Sequence, residues 1–200
     1  MTSALATKTL ELVERKGVLR SRDLAAQGIP RAYLQRLVER GQIERVGRGL
    51  YTLPGAVLGE RHSFAEACKR VPSGVICLLS ALRFHGLTNQ NPFEVWLAID
   101  RKAWRPKVAS PPLRLIFFSG QAFREGIEEH DVQGVVVRVY SAAKTVADCF
   151  RFRNKLGVDV AVEALRSFRA HYPHGLDELW RFATIDRVAR VLRPYLESLE

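Results

Sequence analysis

The chain has 200 residues, with 47% hydrophobic residues, 26% charged residues and a formal net charge of +10 at pH 7. That composition excludes global disorder, a collagen repeat and a continuous coiled coil, and a chain this long buries enough surface to fold without disulfide or metal staples. Cys68, Cys77 and Cys149 form no CxxC pair, which argues against a cysteine zinc site and fits a reducing cytoplasm. The segment MTSALATKTLELVERKG lacks the apolar core of a signal peptide. No uncharged apolar run approaches the roughly 20 residues of a membrane span, so no membrane partner is expected.

The charge is uneven. Residues 1–59 hold ten Lys/Arg against five Asp/Glu, a net +5, and the remaining 141 residues carry the other +5. The first third is thus more than twice as basic per residue, which favours a polyanionic partner through counterion release.

Within residues 1–59, Ala6, Leu10 and Val13 recur at helical spacing, flanked by Leu5 and Leu12, and Gly17 ends that helix. Ser21 is placed to cap a short second helix, Arg22–Gln27, with Leu24 and Ala25 inward and Gly28 as its left-handed terminator. Pro30 opens a third helix that stops at Gly41, with Leu34, Leu37 and Val38 as its apolar stripe. The runs QIERV and LYTL, separated by Gly47-Arg48-Gly49, predict a β-hairpin. Three helices with a tight turn between the last two, then a hairpin, spell a winged helix-turn-helix.

Stepping the third helix at 100° per residue turns Ala32, Arg36, Glu39 and Arg40 away from the stripe, with Tyr33 and Gln35 at the sides and Arg31 at the N-terminal end. The N-terminal half of such a helix enters the major groove. There Arg can bridge guanine O6/N7, Gln can pair with adenine N6/N7, and a small residue such as Ala32 permits contact with a thymine methyl. The expected DNA-binding set is Arg22, Arg31, Ala32, Tyr33, Gln35, Arg36 and Arg40, with Arg45 on the wing's first strand and Arg48 at its tip. The competing reading is a solvated basic face; the agreement of helix spacing, turn, hairpin and arginine placement favours DNA.

Residues 60–200 predict a second, mixed α/β domain, so the fold class is α+β. A helix over Ser63–Arg70 precedes the apolar run VICLL and a short helix around Ser80–His85. Strand patterns follow at Phe93–Ile99, Leu113–Phe118 and Val135–Tyr140, with RPKVASPP (105–112) as a Pro-interrupted loop. Helices are expected at Ala142–Arg151, Val158–Arg169, Asp177–Phe182 and Arg187–Ser198, the last two forming a C-terminal helical tail. The sheet has at least three strands.

Catalytic signals in this domain are weak. Ser80 and His85 lie five apart without a GxSxG elbow or a neighbouring carboxylate, so Ser80 reads as a helix cap and His85 as a histidine near helix carbonyls. Asp100-Arg101-Lys102 at a strand end resembles an acid-x-Lys nuclease element, but Glu94 is about 20 Å away along the strand. His62, His130, His171 and His174 are scattered, and there is no phosphate-cradling glycine loop, so no metal or cofactor is assigned. Trp96, Trp104 and Trp180 read as core or domain-contact residues.

Two stretches in order, RLVERGQIERVGRGLYTLPG (36–55), then SALRFHGLT (80–88) with VYSAAKTVADCFRFRNKLGVDVAVEALR (139–166), are similar to the AbiEi antitoxins of type IV toxin–antitoxin systems. The resemblance spans most of residues 5–170. It implies an N-terminal domain that binds inverted repeats in its own promoter and represses the operon. It also implies a C-terminal domain that antagonises a nucleotidyltransferase-type toxin without a stable complex. A monomer or weak homodimer would pair on the DNA. Lys144, Asp148, Arg151 and Arg153 fall in the family-like segment and are the expected antitoxin surface. Their plain reading is an exposed i, i+4 ion pair with Val146, Ala147 and Phe150 burying the opposite face. Two other readings remain: a stand-alone regulator whose second domain binds a ligand or oligomerises, and a Mg²⁺-dependent nuclease-like enzyme.

Overall fold

The computed structural model describes residues 3–16, 19–25, 27–47, 49–54, 60–108, 110–132 and 134–199. The chain divides into two compact units, Met1–Glu66 and Ala67–Glu200.

The first unit runs α1 (Ser3–Lys16), β1 (Leu19–Arg20), α2 (Ser21–Ala25), α3 (Ala32–Glu39), β2 (Glu44–Gly47) and β3 (Leu50–Thr52). Its sheet has the order β1-β3-β2, all antiparallel. The hairpin is the expected one, and the two-residue β1 adds a strand to it that sequence periodicity is too short to register. Leu12, Val13, Leu19, Leu24, Ile29, Leu34, Leu37 and Ile43 form the core.

Three local expectations shift. The buried line of α1 runs through Thr9, Leu12 and Val13, while Ala6 and Leu10 are half-buried. Thr9 tolerates this position because its hydroxyl donates to the Leu5 carbonyl at 2.7 Å. Ala25 is exposed rather than inward. Ser21 lies inside α2, and its amide donates to the Gly49 carbonyl at 3.0 Å, tying the helix to the hairpin.

The second unit follows α4 (Glu60–Arg70), within which the boundary falls. It comprises β4 (Val75–Ile76), α5 (Leu78–Phe84), β5 (Val95–Asp100), β6 (Leu113–Phe118), α6 (Gln121–Arg124), β7 (Ile127–Val132), β8 (Val135–Tyr140), α7 (Ala142–Arg151), α8 (Arg153–Leu156), α9 (Val158–His171), α10 (Leu176–Ile185) and α11 (Ala189–Glu197). Five strands form a mixed sheet ordered β6-β5-β4-β8-β7, in which β5/β6 and β4/β8 are parallel. The fold class is therefore mixed α/β, with more strands than periodicity revealed.

The missed strand β7 has the sequence IEEHDV and occupies a sheet edge. An edge strand can carry charge on both faces, which removes the alternation that would announce it. The parallel pair β5/β6 demands a crossover, and here residues 101–112 supply it without a helix.

On one face of the sheet Trp96, Ala98, Ile116, Phe118 and Tyr140 pack with Leu82, Val146, Phe150, Leu165, Phe168, Phe182 and Leu192 from the helices. The tail helices α10 and α11 thus belong to the core. Ser141 caps α7 by accepting from the Lys144 amide at 3.3 Å.

Gly126, just before β7, has φ +73°, and a Cβ there would lie 2.7 Å from the Phe182 ring and 2.9 Å from Lys144 Cβ. Gly126→Ala should lower stability by about 2–4 kcal/mol through combined backbone strain and overpacking, read as a drop in the urea midpoint.

Candidate nucleic-acid interface

The α2–α3 connection is closed by backbone bonds. The Gly28 amide reaches the Ala25 carbonyl at 3.1 Å, and the Ile29 amide reaches the Leu24 carbonyl at 2.9 Å. Gly28 takes φ +65°, the left-handed conformation that favours glycine. Ile29 is buried, so the turn is anchored to the same core as both helices. Pro30 and Arg31 form a turn ahead of α3, with the Tyr33 and Leu34 amides donating to their carbonyls, so the regular helix starts at Ala32 rather than at the proline. Gly41, at φ +65°, ends it as expected.

Because Leu34 and Leu37 take the buried side of α3, the opposite side is committed to solvent. Arg31, Ala32, Gln35, Arg36, Glu39 and Arg40 are all exposed. Tyr33 is half-buried against the core, and the Arg36 guanidinium lies 5.3 Å from its ring centroid, which steadies the arginine without neutralising it. Arg22 on α2 and Arg45 on β2 are also exposed. Arg48 lies outside the described residues.

Glu39 shares the outward side of α3, as the helix stepping predicts. It accepts from the Gln35 side-chain amide at 3.1 Å. A base-reading glutamine here must therefore leave Glu39, or keep it and lose one donor. Three arginines against this one acid leave the exposed face cationic.

The second-unit residues behave otherwise. Lys144 and Asp148 are 0% exposed, not an exposed pair. Lys144 Nζ donates to Asp148 Oδ1 at 2.5 Å and to Asp186 Oδ2 at 3.2 Å, and Arg151 Nη1 donates to Asp186 Oδ1 at 3.0 Å. The rings of Tyr140 and Phe118 flank the ammonium, 4.9 and 5.1 Å away. Helix α7 is buried all round because α10 covers the side that an isolated helix would leave wet, and Asp186, at the C-terminal end of α10, meets the lysine there. Lys144 and Asp148 therefore form no surface; Arg151 and Arg153 are half-buried, and Arg153 donates to the Phe150 carbonyl.

Other assignments are also revised. Ser80 lies within α5 and accepts the Trp96 amide at 2.9 Å rather than capping the helix. His85 does end α5, but its Nε2 pairs with the Tyr140 carbonyl, and burial lowers its pKa. Asp100 Oδ1 accepts the Lys102 amide at 2.8 Å, closing a turn, and Glu94 faces Arg114 at 3.6 Å. Trp104 is 88% exposed, which contradicts a core role, whereas Trp96 is buried and Trp180 half-buried. Among the described residues, no three His, Cys, Asp or Glu side chains are grouped to hold a metal ion, and no helix is long and apolar enough to cross a membrane.

Residues 8–54 match the AbiEi antitoxin family of transcriptional regulators. The AbiEi match runs from within α1 to just past β3 and includes the whole exposed face of α3. The resembling segments 80–88 and 139–166 lie beyond it. No curated protein matches the chain. The AbiEi match supports a transcriptional-regulator or antitoxin role.

Lys144→Met should cost about 3–5 kcal/mol, because it strands Asp148 in the interior, and adding Asp148→Leu should recover most of that loss in urea unfolding. Burial raises the Asp148 pKa well above the ordinary aspartate value. The folded state then holds that proton more tightly than the unfolded chain, so its contribution is greatest in acid and declines as pH rises. Asp148→Asn should accordingly gain stability relative to the wild type as pH rises above the ordinary aspartate range.

Proposed function

We propose that residues 1–59 are a winged helix-turn-helix that binds inverted repeats in the promoter of its own operon and represses it. Helix α3 enters the major groove, with Arg31, Ala32, Gln35 and Arg36 toward base edges and Arg22, Arg40, Arg45 and Arg48 toward phosphates. The observation that carries this reading is the exposed cationic side of α3, opposite Leu34 and Leu37, within the segment that matches a regulator family. A monomer or weak dimer pairs on the two half-sites, since palindromic DNA supplies the symmetry.

Residues 60–200 act as the antitoxin domain against a nucleotidyltransferase-type toxin, without a lasting complex. With Lys144 and Asp148 internal, they support this domain from within, and Arg151, at 33% side-chain exposure, and the half-buried Arg153 are the members of the set that reach solvent. A second reading, a regulator whose second domain binds a small ligand, rests on a polar cleft of about 390 Å³ lined by Ser119, Gln121, Arg151, Asp186 and Arg187.

Promoter binding measured by fluorescence anisotropy tests the first reading. Changing Arg31, Arg36 and Arg40 to Ala should weaken binding and flatten the slope of log K against log salt by about 1, the share of the phosphate-facing Arg40. Glu39→Gln should tighten it several-fold by removing a carboxylate from the phosphate-facing side. In cells, the triple variant should lose repression yet still rescue growth from the neighbouring toxin. Undiminished promoter affinity of the triple variant contradicts the assignment.

A further inference from the structure

The crossover between β5 and β6 carries chemistry that promoter binding does not use. From Arg101 to Lys107 the sequence RKAWRPK has four cations and no acid, and the next acid after Asp100 is Glu125. Arg101, Lys102, Trp104, Arg105 and Lys107 are all exposed, the indole by 88%. A charge run by itself is a solvated surface, and an isolated exposed tryptophan is a large apolar area left in water. Their coincidence on one short loop is the informative fact.

The loop is also built to hold its shape. The Arg101 amide donates to the Phe118 carbonyl at 2.8 Å, continuing the sheet ladder past β5. Asp100 then accepts the Lys102 amide through its side chain and the Ala103 amide through its carbonyl, at 2.8 and 2.9 Å. On the far side of Trp104, the Arg105 guanidinium lies 5.1 Å from the Phe117 ring centroid. Trp104 therefore stands between two fixed points at the C-terminal end of β5. This accounts for the acid-x-Lys element: Asp100 organises the turn that presents the indole.

We infer that this loop binds unpaired nucleotides of a single-stranded nucleic acid. Trp104 stacks on a base, and Arg101, Lys102 and Lys107 contact the flanking phosphates. An aromatic face accepts every base, while a paired base inside a duplex offers it no free face. The inference is independent of the promoter reading, since it uses none of the α3 residues.

The test uses the full chain and three fluorescein-labelled probes: a twelve-nucleotide oligo-dT, the matching oligo-U, and a duplex of the same length. The wild type should bind one or both single strands more tightly than this duplex, and which of the two is preferred identifies the natural source as DNA or RNA. Trp104→Ala should lose about 10-fold or more in single-strand affinity, Trp104→Phe should retain most of it, and duplex affinity should not move. Changing Arg101, Lys102 and Lys107 to Ala should lower the single-strand salt slope by about 2. The Arg31/Arg36/Arg40 triple variant should keep single-strand binding, which separates this site from the promoter-binding one. Equal single-strand affinity of wild type and Trp104→Ala overturns the inference. So does an equal loss on the duplex, or no preference for single strands; any of these leaves the indole to a different class of partner, such as a protein.

Discussion

A lysine cut off from water, held between aspartates of two different helices, sets how the second unit closes. Lys144 and Asp148 are a turn apart on α7, and Asp186 arrives from the end of α10. Lys144 and Asp148 are 0% exposed, and Asp186 is 6% exposed with its carboxylate turned inward. Each charge is tolerable only in the presence of the others, because an unpaired ion in the interior costs several kcal/mol. The arrangement therefore discriminates against any packing of the tail that fails to bring Asp186 to the ammonium. Arg151 extends the network outward, so the polar cleft it lines inherits its geometry from the buried charges behind it.

In the first unit the same logic is simpler. Helix α3 is short and has one apolar stripe, and Leu34 and Leu37 commit that stripe to the core. Everything else on the helix is then decided by rotation, and the residues that come to the surface include three arginines. The glycine at position 28 allows the sharp α2–α3 connection, and the buried Ile29 fixes its angle. A cationic helix face of this kind has affinity for a phosphate backbone before it has any specificity, and in the proposed docking Arg31, Ala32, Gln35 and Arg36 would add the specificity.

The parts legible in the sequence are those whose cause is local. Strands β6 and β8 and helix α7 fall where their patterns put them, because apolar runs bounded by Pro, Gly or a capping serine carry their own boundaries. The exposed side of α3 was equally readable, since two leucines three apart define a helix face. What sequence could not supply was the long-range partner. Lys144 and Asp148 have the spacing of a solvent-exposed ion pair, and only Asp186, 42 residues after Lys144, makes burial possible. Strand β7 hid for the opposite reason, as an edge strand needs little apolar alternation. Trp104 reads in the sequence as a core or domain-contact residue, yet the turn fixed by Asp100 and the ring contact of Arg105 leave it 88% exposed.

Footprinting on the DNA upstream of the gene, at two stated salt concentrations, tests the central claim most directly. The account predicts two protected half-sites with their centres about 34–36 Å or a multiple of that apart, weakening steeply as salt rises. Diffuse protection without paired half-sites would reduce the arginine face of α3 to a generic basic surface and contradict the account.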